Sequence, residues 1–195
     1  MSTNTVHWYL DLKQAVIAAG FAEEVDWSAD IKPCGSAAAF WREFAWVVLN
    51  SGMKNQIARQ IWDRVRPAVE QGGSASDVFG HKGKAEAIDG VFKHRYRLFQ
   101  EYCATPDDRK VEWCDGLPWI GGITKWHLAK NLGVDCAKPD RHLVRIAGEE
   151  GTHAMCKRLS DATGDRVVTV DTVIWRAANL GILNNPQNAL PQVAN

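Results

Sequence analysis

The sequence predicts an all-α protein, on three observations. Apolar residues recur at three- and four-residue spacing almost throughout, and the segments they form stop at glycine or proline. Only one short run has the composition of a strand. That run is Arg166-Val167-Val168-Thr169-Val170, read as a strand leading into Asp171, which in turn reads as the plain N-cap of a helix over 172–179.

The helices follow in order. Ser36 is a candidate N-cap, and the run after it places Phe40, Phe44, Val47 and Val48 on one face. The next segment repeats Ile57, Ile61 and Val65 at steps of four and stops at Gly72-Gly73. A long helix is expected over 84–103, turning Ile88, Val91, Phe92, Phe99 and Tyr102 inward. Pro106 can open another that ends at Gly116. Further helices are expected at 122–131, 141–147 and 153–160.

Composition narrows the classes. A chain of 195 residues that is 46% hydrophobic can bury a core, as one domain or as two small lobes. Acidic and basic side chains balance at 23 each, so a nucleic-acid binder of this composition must gather its cations on one face. Two basic groups qualify: Lys125, Lys130, Lys138, Arg141 and Arg145, and Lys82, Lys84, Lys93, Arg95 and Arg97. The N-terminus lacks the basic start and apolar run of a signal peptide, and no stretch nears the roughly 18 apolar residues of a membrane helix. A soluble, intracellular protein with no membrane partner is expected. The five cysteines, at 34, 103, 114, 136 and 156, form no CxxC pair. Free thiols are therefore expected, with no zinc site, disulfide framework or iron–sulfur cluster.

The informative stretch runs from Glu112 to Ala147. Leu117-Pro118-Trp119-Ile120-Gly121 sits between two helical patterns, and Gly122 and Thr124 open the second. A tight turn there can point several backbone N–H groups outward at a helix N-terminus, binding phosphate without net positive charge. After a gap comes Lys138-Pro139-Asp140-Arg141-His142-Leu143-Val144-Arg145. Pro139 bars a continuing helix, which makes Asp140 the N-cap of the helix starting at Arg141.

This pair of motifs resembles the helix-hairpin-helix DNA glycosylase superfamily, which includes endonuclease III and the 8-oxoguanine and alkylpurine glycosylases. The family's hairpin reads leucine-proline-glycine-(isoleucine or valine)-glycine with a threonine three residues on, followed later by a segment with aspartate, histidine and arginine at fixed spacing. Leu117, Pro118, Ile120, Gly121 and Thr124 match the first part; Pro139, Asp140, His142, Leu143 and Arg145 match the second. The loop in NSGMKNQIAR (50–59) looks like the one that fills the hole left by a flipped base, with Met53 or Lys54 as the filling side chain.

The resemblance implies a two-lobed all-α fold with the active site in the cleft between lobes. One lobe would hold 1–35 and 136–195, the other 36–135 with the hairpin at 117–121. It implies a monomer acting on double-stranded DNA that carries a modified base, in the cytoplasm at the nucleoid or as a virus-encoded intracellular enzyme. Asp140 would be the catalytic carboxylate. Leu117, Trp119, Ile120, Gly121, Gly122, Thr124, Lys125, Arg141 and His142 would contact DNA. No cofactor is required, although the resemblance implies Na+ or K+ held by the backbone carbonyls of Asp115, Leu117 and Ile120.

Two positions depart from the family. Trp119 stands where the hairpin usually has glycine, so its side chain must point to solvent beside the DNA or force a different approach to phosphate. Ile123 stands where bifunctional members carry a lysine, and Lys125 lies about 200° further around the helix. Without an amine nucleophile the Schiff-base route and its strand-cutting lyase step are expected to be absent. Breaking a glycosidic bond builds positive charge on the sugar, so a fixed carboxylate beside C1′ can stabilise it and orient the attacking water. The base must first be flipped out of the duplex. The alternatives are a non-catalytic hairpin module that only grips DNA, and a transferase or kinase for a modified base on the same scaffold. No glycine-rich phosphate loop with a lysine supports the second.

Overall fold

The computed structural model describes residues 3–184, and among these there is no β-strand. The helices are α1 (Thr3–Val16), α2 (Ala22–Asp30), α3 (Ala37–Asn50), α4 (Asn55–Glu70), α5 (Lys82–Ala104), α6 (Lys110–Asp115), α7 (Thr124–Asn131), α8 (Arg141–Ala147), α9 (Thr152–Thr163) and α10 (Val167–Asn179). They fall into two compact units. One holds the described residues up to Ile31 and from Asp135 onward, and the other is Lys32–Val134. No described helix is long and apolar enough to cross a membrane.

The Lys32–Val134 unit is built around α3. Ser36 caps it as expected, its hydroxyl accepting the Ala39 N–H at 3.1 Å. Phe40, Trp41, Phe44, Ala45, Val47, Val48 and Leu49 are all buried, so α3 meets neighbours on most of its circumference. The Trp41 indole donates to the Ile88 carbonyl at 3.1 Å and meets Phe92 edge-on at 4.9 Å. Phe40 packs against Phe99, Tyr102 and Trp113.

One expected core position fails in this unit. Ile57 is 47% exposed, and the inward face of α4 is Ala58, Ile61, Val65 and Val69. Steps of four overshoot a 3.6-residue turn, so the stripe drifts around the helix and the small Ala58 takes the inner place at the first turn. The unit closes at Gly133, whose φ of +100° suits only glycine. A Cβ there would come within 2.6 Å of the Lys32 carbonyl oxygen.

The other unit packs α1, α2, α8 and α9 around α10. Its core joins Trp8, Tyr9, Leu12, Leu143, Met155, Leu159, Val170, Val173 and Ile174. The strand expected at 166–170 is instead the start of α10, in which every residue from Val167 to Ile174 is buried. Burial on all sides outweighs a helix-propensity deficit of about 0.5 kcal/mol per β-branched residue. Asp135 supplies the cap, its carboxylate accepting the Val168 N–H at 3.0 Å. Asp171 is therefore not an N-cap. It lies inside α10 and is 2% exposed.

None of the five cysteines forms a disulfide; Cys114, Cys136 and Cys156 are buried, while Cys103 is exposed.

Candidate functional site

The hairpin is anchored by two buried side chains, Leu117 and Ile120, with the Ile120 N–H donating to the Leu117 carbonyl at 3.2 Å. Between them Trp119 adopts φ +62°, the left-handed conformation for which glycine is the usual choice. The turn keeps that shape in spite of the larger residue. The Thr124 hydroxyl accepts the Gly121 N–H at 2.8 Å, and the Lys125 N–H donates to the Gly121 carbonyl at 2.9 Å. No acceptor for the N–H groups of Gly122, Ile123 and Thr124 is found among the described residues. Three successive donors thus stand open at the start of α7, an arrangement suited to an anion.

Trp119 is 49% exposed, and its ring lies back against α5. A Cβ on Gly83 would come within 2.8 Å of its Cζ2, and His81 meets the ring edge-on at 5.1 Å. The next residue along, Lys84, points the other way. Its ammonium donates to the Ser51 carbonyl at 2.6 Å, and the side chain is buried. Lys84 therefore stands outside the surface cation cluster expected from the sequence, and burial pushes its amine below the ordinary lysine range. The start of α5 therefore touches both the hairpin and the loop 51–54. In that loop Met53 is half-buried and Lys54 exposed, with Gly52 at φ +70°. A groove of about 510 Å³ runs between α5 and the hairpin, lined by Gly83, Ala87, Gly90, His94, Leu117 and Trp119 among others.

Lys125 does not stand free. Its ammonium lies 3.0 Å from Glu112 Oε1 and 3.4 Å from Asp115 Oδ2. The hydrogen bond to Glu112 raises the amine above its ordinary range, with Asp115 adding to the effect. Lys125 thus shares its charge with two carboxylates of α6 before any phosphate arrives. Ile123, at the N-cap of α7, is 51% exposed.

Asp140 lies in the other unit. It caps α8 in the extended backbone usual for an N-cap, with Oδ1 accepting the His142 N–H at 2.8 Å and the Leu143 N–H at 3.1 Å. Oδ2 accepts no hydrogen bond among the described residues, and the side chain is half-buried. The buried Leu143 fixes α8 on its core, which leaves Arg141, Val144 and Arg145 exposed and His142 half-buried. Upstream, the Ala137 N–H donates to His153 Nδ1 at 3.5 Å and the Lys138 N–H to Asp171 Oδ1 at 3.1 Å. The Asp140 N–H donates to the Lys138 carbonyl at 2.8 Å.

The sequence reading missed the roles of Gly83, Lys84 and Asp171. The only signal for the first pair was a glycine beside a lysine at a helix start, and for Asp171 a carboxylate inside an apolar run.

No family model, no curated protein and no solved structure matches this chain.

Proposed function

We propose that this chain is a monofunctional DNA glycosylase of the helix-hairpin-helix kind, releasing a modified base from duplex DNA by hydrolysis at C1′. The observation that carries the reading is the Asp140 carboxylate. One of its oxygens is pinned by two α8 amides and the other is open, and it follows, in the family's order, a hairpin with three open N–H groups. A carboxylate held this way has no freedom to swing toward a stray cation, which suits a group that must face a developing sugar cation.

In this reading the Gly122, Ile123 and Thr124 amides of the Lys32–Val134 unit grip a DNA phosphate, and Arg141 and Arg145 of the other unit meet the DNA backbone in their own right. Met53 or Lys54 fills the space of the flipped nucleotide, which a few kcal/mol of binding energy must drive out of the stack. Asp140 stabilises the positive charge that builds on the sugar and orients the water that attacks it. The carbonyls of Asp115 and Ile120 accept no hydrogen bond among the described residues, and that of Leu117 accepts one. These oxygens suit a monovalent cation, which would stiffen the turn beside the phosphate.

The test is a panel of duplexes, each with one altered base, incubated with the protein and then treated with alkali. Cleavage at the altered position of at least one duplex supports the reading. Tight duplex binding with every base retained would instead mark a module that grips DNA without chemistry.

A further inference from the structure

Asp171 is a carboxylate at the centre of a buried helix. Its neighbours Val170, Thr172, Val173 and Ile174 are all buried, and its own exposure is 2%. Burying a carboxylate is unfavourable unless hydrogen bonds compensate, so its partners identify its role. One partner is the Lys138 N–H, 33 residues away in sequence, at 3.1 Å. The carbonyl of that same residue accepts the Asp140 N–H at 2.8 Å.

Three N–H groups lead into Asp140, because Pro139 has none. That of Ala137 goes to His153, that of Lys138 to Asp171, and that of Asp140 back to Lys138. Every peptide plane ahead of the carboxylate is thereby tied, two of them to side chains of α9 and α10. From the other side, α8 holds Asp140 through the His142 and Leu143 amides. The Pro139 ring already confines the ψ of Lys138, but without such ties the turn would be free to rotate about the ψ of Pro139, carrying Oδ2 with it.

We propose that Asp171 is a positioning residue for Asp140, acting through the Lys138 peptide to fix the turn that aims the catalytic carboxylate. This rests on Asp140 being the group that faces the sugar. Asp171 itself cannot touch a substrate, because its side chain is closed off from solvent.

Backbone amide exchange on the full chain tests this, comparing Asp171→Leu and Asp171→Asn with the natural protein. Leucine fills the space but accepts nothing, so protection at Lys138, His142 and Leu143 should fall at least about tenfold, with α1 amides unchanged. Asparagine keeps an acceptor and should hold protection within about threefold. On a duplex that the natural protein cleaves, the leucine variant should lose kcat with its KM unchanged, and asparagine should restore it. Equal protection in all three proteins overturns the proposal, as does a uniform loss in both variants. If the leucine variant does not fold, the asparagine variant decides alone: a loss of about tenfold or more overturns the proposal. If the natural protein releases no base from any duplex, the glycosylase reading falls, while the exchange contrast still reports whether Asp171 fixes the turn.

Discussion

The Trp119 ring lies across Gly83 so closely that a single added methyl group would come within 2.8 Å of the indole Cζ2. Gly83→Ala must therefore displace the ring or the helix. Because the half-exposed ring can swing away and alanine gains helix propensity inside α5, we expect a stability change within about 1 kcal/mol, and a shifted indole N–H resonance for Trp119. An unchanged resonance, assigned by comparison with Trp119→Phe, would mean that the ring does not rest on α5.

Duplex binding should weaken steeply with salt, because phosphate contacts release counterions. Arg141→Gln and Arg145→Gln should each lower the magnitude of the salt slope by about 1. Lys125→Gln should leave the slope unaltered, since Glu112 and Asp115 already hold its charge. A fluorescence-anisotropy titration at several salt concentrations checks all three, and a large effect at Lys125 alone would reverse this assignment of cations.

Glu43 gives a pH signature. Burial pushes its carboxyl above the usual range, partly offset by the hydrogen bond from Asn131 at 2.9 Å. A raised carboxyl keeps its proton in the fold while the unfolded chain has lost it. The stability it confers is present below the ordinary glutamate range and is lost as pH rises through the raised value. Glu43→Gln should thus be more stable than the natural protein at neutral pH and show a flatter slope in that window. Urea unfolding at a series of pH values measures both, and a less stable variant at neutral pH would contradict the sign.

Base release should leave the strand intact until alkali is added. The exposed Ile123 offers no amine, and the Lys125 ammonium is engaged with α6. Borohydride trapping with a cleavable duplex should therefore yield no crosslinked band, since no Schiff base forms. A band lost in Lys84→Met would show that the buried amine of Lys84 is the nucleophile; a band that survives would point to another amine. Ile123→Lys is the converse check, expected to yield some trapped complex.

Much of the fold was legible because its signals are local. Ser36 and Asp140 reach only two or three residues ahead to cap their helices, and Pro139 settles the backbone before Asp140. What escaped depends on surroundings that sequence spacing does not encode. The β-branched run at 167–170 is helical because α10 is enclosed, and that enclosure turns Asp171 from an expected cap into a buried acceptor. Lys84 looks like any surface lysine until the Ser51 carbonyl is found above it. Ile57 failed by one position, because a seam running in steps of four drifts around the helix. In the candidate site, Lys125, judged from residue type, is held by Glu112 and Asp115, a pairing that its spacing from either carboxylate does not announce.

Asp140→Asn is the most direct measurement of the central claim. The amide can still accept from His142 and Leu143, so the fold and duplex affinity should persist while the charge facing the sugar is gone. Single-turnover base release on a duplex that the natural protein cleaves should then fall by a factor on the order of 10² or more, as expected when a preorganised charge is removed. Release by the Asn variant at near the natural rate, with binding intact, would contradict the account.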